Sequence, residues 1–155
     1  MIRLFRVVIL SLAVASSASP SLAQSTDQLG KGLESLEQGD FKQGFQLIQS
    51  VAESGNKEAQ FTLAALYVDG NAEMPKNLNE GLRLYKLAAG QGFAPAQNEL
   101  GVMFLEGRGV AVNEVEGVQW IRRAAEQGYP TAETNLSKSY AHGRGVATDD
   151  AEALR

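Results

Sequence analysis

The chain of 155 residues has no cysteine, a single histidine and no excess of basic charge. Without cysteine it has no disulfide, no thiolate metal ligand and no thiol nucleophile, so the fold depends on packing. His142 cannot form a metal site alone and is expected to be a surface turn residue. The formal net charge of −4 does not attract phosphate backbones or anionic headgroups. We therefore predict no metal, no cofactor and no nucleic-acid partner.

Long apolar runs are also missing after the N-terminal segment. Residues 7–15 form the principal apolar run, which follows two arginines and precedes small residues at positions 21–23. A membrane-spanning helix needs about 20 apolar residues, more than this run supplies. The layout predicts a secretory signal peptide over residues 1–23, cleaved near Ala23, and a periplasmic or secreted mature protein. An uncleaved N-terminal anchor is the alternative.

The pentapeptide GRGVA occurs at residues 107–111 and 143–147 and belongs to a longer internal repeat. Alignment on Ala59, Ala96 and Ala132 brings equivalent leucine, aromatic and glycine positions into register. The aligned positions are Ala59, Leu63, Tyr67 and Gly70, then Ala96, Leu100, Phe104 and Gly107, then Ala132, Leu136, Tyr140 and Gly143. The predicted units are a divergent N-terminal helical hairpin (24–58), repeat 1 (59–95), repeat 2 (96–131) and an incomplete repeat 3 (132–155).

Each unit contains two stretches with helical periodicity, and the start of the second is marked by a capping box. An Asp or Asn oxygen can accept a hydrogen bond from the backbone N–H three residues later, and a Glu or Gln at that position can reach back. The four pairs are Asp40 with Gln43, Asn77 with Glu80, Asn113 with Glu116, and Asp149 with Glu152. Glycines are predicted to end the second helices, and Pro95 and Pro130 to begin the following ones. These glycines are Gly55, Gly92 and Gly128.

The pattern A-x-x-x-L-[small]-x-x-[YF]-x-x-G-x-G-V…A-A-x-x-G resembles the Sel-1-like repeat, a relative of the tetratricopeptide repeat. The resemblance extends over essentially all of the chain after residue 23. Repeat 1 departs from it where Asn71-Ala-Glu-Met replaces the glycine turn, and unit 24–58 has only a short turn at Gly39-Asp40. The resemblance implies an all-α, right-handed solenoid of antiparallel helical hairpins.

The same resemblance implies a non-catalytic, exported scaffold or adaptor for protein–protein interaction in the cell envelope. Proteins of this family commonly act in envelope signalling, exopolysaccharide control or host interaction, and the partner would be a protein segment on the concave face. Two alternatives stay open. One is a periplasmic regulator of a membrane sensor kinase, and the other is a cell-wall or β-lactam hydrolase.

Two motifs that resemble catalytic or ligand-binding sequences are incomplete. A phosphate-binding loop needs a third glycine and a preceding strand, whereas Val112 and Thr148 stand at that position and a helical stretch precedes each loop. Ser54 and Lys57 match the S-x-x-K motif of β-lactamases, but S-D-N and K-T-G are absent. The paired cysteines of relatives linked to β-lactam binding or hydrolysis are absent as well. We predict that the chain is not an enzyme and that the GRGVA loops are structural turns.

The helix face opposite the repeat alanines predicts a partner groove. At about 100° per residue, positions two, six and nine residues after each alanine point away from the core face. They form a partly apolar stripe where a solvated face would be polar. The predicted groove residues are Phe61, Val68, Asn98, Val102, Leu105, Thr134 and Lys138. The alternative is that neighbouring helices cover them.

The last hairpin of this sequence is shorter than the others, because only six residues follow Asp149. Leu136 and Tyr140 are therefore expected to be partly uncovered. Solenoids usually need a polar capping unit at each end. We expect residues 132–155 either to fray in the monomer or to drive self-association.

Overall fold

A computed structural model describes residues 20–71 and 73–146. Within these residues the chain forms seven helices and no strand. The helices are α1 (Pro20–Glu37), α2 (Phe41–Glu53), α3 (Lys57–Asp69), α4 (Leu78–Gly90), α5 (Ala94–Glu106), α6 (Glu114–Ala125) and α7 (Pro130–His142). The principal contacts join helices that are consecutive in sequence. The all-α solenoid of helical hairpins is therefore confirmed.

The described helices include none that combines the length and apolar character needed to cross a bilayer. Helix α1 begins at Pro20, so the predicted cleavage position near Ala23 lies in its first turn. Leu29 and Leu33 of the same helix are buried in the core beyond that position.

The helix starts and ends follow the local chemistry of the sequence. The side chains of Asp40, Asn77 and Asn113 accept hydrogen bonds from the backbone N–H groups three residues later, at 3.0, 3.1 and 3.2 Å. Three of the four predicted caps are thus confirmed, and the fourth, at Asp149, lies outside the described residues. Asn56 caps α3 in the same way, at 2.8 Å from the Ala59 nitrogen, and was not predicted. The predicted terminating glycines have positive φ: Gly55, Gly92 and Gly128.

The two GRGVA loops are structural turns, as predicted. Gly107 and Gly143, with φ of 70° and 64°, end α5 and α7 in the left-handed conformation. The second glycine of each loop abuts the start of the second helix of the preceding repeat. A Cβ atom at Gly109 would lie 2.9 Å from the Cβ atom of Leu78, and one at Gly145 would overlap the carbonyl oxygen of Glu114. Each loop therefore both reverses the chain and docks one repeat onto the previous one.

Small residues let the helices of a hairpin approach closely. The repeat alanines Ala59, Ala96 and Ala132 have no exposed surface. Where α5 crosses α6, a Cβ atom at Gly101 would lie 2.6 Å from the carbonyl oxygen of Gly117. The two backbones are in contact there, so large apolar side chains fill the space on either side of the crossing. They include Leu100, Met103, Val118 and Ile121, which are fully buried.

Successive repeats are also joined by side-chain amides, in which a buried glutamine bonds to an exposed one, and the repeat alignment did not identify them. The Nε2 atom of Gln60 donates to the carbonyl oxygen of Ala52 at 3.3 Å. Its Oε1 atom accepts a hydrogen bond from Gln91 at 2.8 Å. We call this three-residue arrangement the amide clamp. One repeat later the same positions are occupied by Gln97, Ala89 and Gln127.

Candidate partner-binding cleft

The predicted groove residues divide into a covered group and an accessible group. Val68, Asn98 and Leu105 are only 4%, 1% and 8% exposed, so the expectation that they lie open on the concave face is wrong. Asn98 is hydrogen-bonded to Asn135 of α7. For Val68 and Leu105 the reason is that helices α4 and α6 cover a wider arc of the first helices than the predicted stripe allows. Gly81 of α4 packs on Val68, and Gly117 of α6 packs on Leu105.

The remaining predicted residues differ in their surroundings. Phe61 is half-buried, and its ring centroid lies 5.6 Å from that of Tyr85 and 5.4 Å from that of Phe93. It is therefore part of an aromatic cluster within the stack. Val102 is half-buried, whereas Thr134 and Lys138 are exposed on α7.

An open cleft of about 400 Å³ lies between α5, α7 and the loop after α7. Its lining residues are Val102, Leu105, Glu106, Asn135, Lys138, Ser139, His142 and Arg144. It brings together three predicted residues, Val102, Leu105 and Lys138. Phe61, Val68, Asn98 and Thr134 are not part of the lining. We refer to this feature as the α5–α7 cleft.

Asn98 has a structural position behind the α5–α7 cleft. Asn135 donates a hydrogen bond from Nδ2 to the Oδ1 atom of Asn98 at 2.9 Å, and Asn98 donates to Glu99 Oε1 at 3.1 Å. The chain of polar groups connects α7 to α5, and the Asn98 side chain is almost fully buried within it. Because a buried amide without partners is costly, this arrangement holds the two helices at a fixed spacing.

One acidic side chain, that of Glu106, lines the cleft, and its charge also acts on the mostly buried Glu99 of the same helix. Burial raises the pKa of Glu99, and the nearby carboxylates of Asp69 and Glu106 raise it further. The hydrogen bond from Asn98 and the charge of Arg108 act in the opposite direction. Burial is also the main cause of the raised pKa of Tyr85, to which Glu99 and Asp69 add.

Basic groups lie on the downstream side of the cleft. Arg144 donates from Nη2 to the carbonyl oxygen of Leu105 at 2.6 Å and from Nε to Glu114 at 3.1 Å. His142 lies in the last turn of α7, exposed as predicted. Its Nδ1 atom is 2.8 Å from the carbonyl oxygen of Lys138, which can only accept, so Nδ1 donates.

The S-x-x-K residues do not form a catalytic pair. The hydroxyl of Ser54 donates to the carbonyl oxygen of Val51 at 2.7 Å. The ammonium nitrogen of Lys57 lies 6.0 Å from the ring centroid of Phe93. Over the ranges that the structure describes, no group of three or more His, Asp or Glu side chains is arranged to hold a metal ion.

The downstream end of the described structure has the half-buried side chains expected there. Leu136 and Tyr140 are both partly covered, and the Tyr140 hydroxyl accepts a hydrogen bond from Arg122 at 2.9 Å. The helix expected to begin at Asp149 lies outside the described residues. Self-association through residues 132–155 therefore stays a prediction.

Comparison with known proteins identifies the repeat. The Sel1 repeat family profile matches residues 57–93, 94–129 and 130–155. The crystal structure of a Sel1 repeat protein from Oxalobacter formigenes is 36% identical, with a TM-score of 0.68 over 70% of this chain and 82% of that one. A search of curated proteins finds no match.

Two further solved structures share the fold. One is c5321, described as a protective antigen with an SLR fold from uropathogenic Escherichia coli, at 36% identity and a TM-score of 0.68 over 71% of this chain. The match spans 23% of the antigen's length. The cysteine-rich protein B of Helicobacter pylori is 19% identical, with a TM-score of 0.56 over 70% of this chain and 93% of that one.

Sel1-repeat proteins are generally protein-interaction scaffolds, and the family is typically non-catalytic. The matched repeats cover more than half of the sequence, and their helices coincide with α3 to α7 of the structure. This chain belongs to the Sel1 repeat family.

Proposed function

We propose that this chain is a non-catalytic scaffold that works outside the cytoplasm and binds an extended protein segment in the α5–α7 cleft. The observation that carries the proposal is the placement of Val102. Its side chain is only half-buried and faces an open cleft, beside Leu105 and the exposed Lys138. An accessible apolar side chain with adjacent polar groups is the usual composition of a site that binds a partner.

The walls of the cleft are held in place before any partner binds. The Asn98–Asn135 hydrogen bond joins its two helices, and Arg144 connects the loop after α7 to the end of α5. A preformed site loses little conformational entropy on binding, which favours affinity.

The proposed location rests on the N-terminal sequence. Two arginines precede the apolar run at residues 7–15, and small residues follow at 21–23, as in secretory signal peptides. Cleavage near Ala23 would leave Leu29 and Leu33 in their core positions on α1. Mass spectrometry of the protein recovered from an envelope or periplasmic fraction should show an N-terminus at Gln24. Recovery of the intact N-terminus from the cytoplasm would contradict export.

Peptide display tests the binding function directly. A random peptide library is selected on the immobilised full chain and, in parallel, on Val102→Asp and Val115→Asp variants. Val115 is 57% exposed and outside the α5–α7 cleft, so it provides a matched control. We expect peptides enriched on the wild type to be retained by Val115→Asp and lost by Val102→Asp, with the helical circular dichroism unchanged in both. Equal enrichment on all three proteins would place binding elsewhere and contradict the proposal.

A further inference from the structure

We propose that the chain has a second protein-binding site, a cleft beside α2 that takes a tyrosine or tryptophan side chain from a partner protein. An open cleft of about 440 Å³ lies between α2 and the loop that follows α3. Phe41, Phe45 and Met74 supply its apolar lining. We refer to this feature as the α2 cleft. It shares no lining residue with the α5–α7 cleft, so it is a site beyond the proposed function.

The α2 cleft is present because the loop of repeat 1 lacks the glycine with which the later loops dock. In repeat 2, a Cβ atom at Gly109 would lie 2.9 Å from the Cβ atom of Leu78, the first residue of α4. Counted back from the caps Asn77 and Asn113, the residue at that place in repeat 1 is Glu73. The two loops return in the same register, because each cap N–H donates to the carbonyl oxygen of the equivalent aromatic residue, at 2.8 and 3.0 Å. A residue with a side chain cannot make so close a contact, so the loop of repeat 1 leaves a space beside α2.

Hydrogen bonds within the loop of repeat 1 hold the wall of the α2 cleft. The Oδ1 atom of Asn71 accepts from the backbone N–H groups of Glu73 and Met74, both at 2.8 Å. The backbone N–H of Asn71 donates to the carbonyl oxygen of Met74 at 2.7 Å. These bonds close the turn on itself without using α2. The cleft is therefore formed before a partner binds, which lowers the entropy cost of binding.

The side chains at this place are suited to a protein partner. Phe41 and Phe45 of α2 correspond to Leu78 and Leu82 of α4. The chain itself covers the start of α4 with its GRGVA loop, whereas the start of α2 has larger apolar side chains and an open cleft. Accessible apolar side chains that lie together mark sites of interaction. Sel1-repeat proteins are generally protein-interaction scaffolds, so the occupant is a segment of another protein.

The lining selects an aromatic side chain from that segment. Phe45 makes an edge-on contact with Tyr67, with ring centroids 5.6 Å apart and an interplanar angle of 89°. A ring that enters the α2 cleft can form the same kind of contact with Phe41, and the thioether of Met74 adds a sulfur–aromatic contact. The exposed amide of Gln46 lines the same cleft and can bond to a phenol hydroxyl or an indole N–H. These contacts favour tyrosine or tryptophan over an aliphatic residue.

A loop exchange tests the site with the chain's own sequence. Residues 71–76 are replaced by Arg-Gly-Val-Ala-Val, the sequence of residues 108–112, which should close the α2 cleft. In peptide display we expect a class of peptides that share a tyrosine or tryptophan. These peptides should be enriched on the wild type and on Val102→Asp, and lost on the exchange variant. A fluorescent copy of the leading peptide should bind Phe41→Ala about fivefold more weakly or worse. It should bind Leu87→Ala as it binds the wild type, because Leu87 is 44% exposed and outside the cleft.

The methionines report directly on the α2 cleft. The sequence has three, of which Met74 lines the cleft and Met103 is 1% exposed in the core. In methyl-labelled wild type, the leading peptide should shift the NMR signal of Met74 through the ring current and leave that of Met103 unchanged. An unmoved Met74 signal, full affinity for Phe41→Ala, or enrichment without a shared aromatic residue would overturn the inference. The last two measurements decide the matter even if the exchange variant does not fold. Peptides that depend on Val102 alone would support the α5–α7 cleft and exclude this second site.

Discussion

The side-chain amide of Gln127 donates a hydrogen bond to the Oε1 atom of Gln97 at 2.7 Å, although thirty residues separate them in the chain. Gln97 in turn donates to the carbonyl oxygen of Ala89 at 3.2 Å. The amide clamp thus joins three successive parts of the chain: Ala89 at the end of α4, Gln97 in α5, and Gln127 just after α6. The same clamp occurs one repeat earlier at Gln60, so it is a periodic element of the stack.

Replacement of Gln97 by glutamate should destabilise the protein. The substitution is close to isosteric, but it replaces the buried donor with a carboxylate that faces the Ala89 carbonyl oxygen. Burying an unsatisfied or repelled polar group costs about 1–3 kcal/mol. Urea unfolding at neutral pH should show a loss of this size, whereas Gln46→Glu on the exposed face of α2 should change stability by less than about 0.5 kcal/mol. Equal losses for the two variants would mean that the clamp contributes little.

The clamp is interrupted at Glu133, which occupies the position of Gln60 and Gln97 in the last repeat. A glutamate cannot donate to the carbonyl oxygen of Ala125, the residue equivalent to Ala52 and Ala89. Glu133→Gln should supply that hydrogen bond, worth about 0.5–1.5 kcal/mol. The substitution also removes a favourable negative charge from the first turn of α7. This loss of about 0.3–1 kcal/mol partly offsets the stability gained from the hydrogen bond.

Comparison with Glu133→Met isolates the hydrogen bond at Glu133. Methionine has a similar length and removes the same charge, but it has no donor. We expect Glu133→Gln to be more stable than Glu133→Met by about 1 kcal/mol, with slower amide hydrogen exchange in α7. If the two variants exchange at the same rate, the clamp does not extend to the last repeat.

The helices and their ends were predictable because their determinants are local. The Asn113 cap depends on a hydrogen bond to a residue three positions away, and the turn at Gly107 depends on the backbone freedom of a single residue. The repeat period then places equivalent helices side by side. In contrast, the amide clamp joins a glutamine in a first helix to one about thirty positions later, just past the end of the next second helix. Its signal in the sequence was only a pair of glutamines at repeat spacing.

The exposure of the concave residues was less predictable, because it depends on how far neighbouring helices extend over each first helix. Val102 and Leu105 are three residues apart and share a helix face, yet only Val102 remains substantially accessible. The contact that covers Leu105 comes from Gly117, where the missing side chain allows α6 to approach closely. A helical periodicity describes the directions of side chains but not the distance of the next helix. The predicted stripe therefore contained both cleft and core residues.

The pH dependence of stability should reveal the environment of Glu99. Burial holds the pKa of this carboxyl above its usual range, the hydrogen bond from Asn98 and the charge of Arg108 lower it, and Asp69 and Glu106 raise it further. A raised pKa in the folded state means that ionisation of Glu99 destabilises the fold, so its cost grows as pH rises through the folded pKa. Below the unfolded pKa of about 4.3 this cost is absent.

Glu99→Gln is expected to remove that cost while retaining an oxygen that accepts from Asn98. Its free energy of unfolding should exceed that of the wild type at pH 7, and the difference should disappear as the pH falls below about 4. Glu126→Gln, at the exposed C-cap of α6, makes the same substitution at a different site and serves as the control. A difference that is independent of pH would indicate that Glu99 acts through packing instead of charge.

The glycines of the turns should differ in their tolerance of alanine according to what surrounds them. Gly109 and Gly128 both have positive φ, at 71° and 76°, so alanine is strained at each by about 1–2 kcal/mol. Only Gly109 is also in close contact, with a Cβ atom there 3.1 Å from the carbonyl oxygen of Leu78, whereas Gly128 has nothing within 4 Å. Gly109→Ala should therefore destabilise the fold by about 1–3 kcal/mol more than Gly128→Ala, because the loop must move away from α4. The difference is measured from the urea midpoints of the two variants, provided that their m-values are equal. Equal losses of unfolding free energy would show that the GRGVA loop can move away from the preceding repeat without cost.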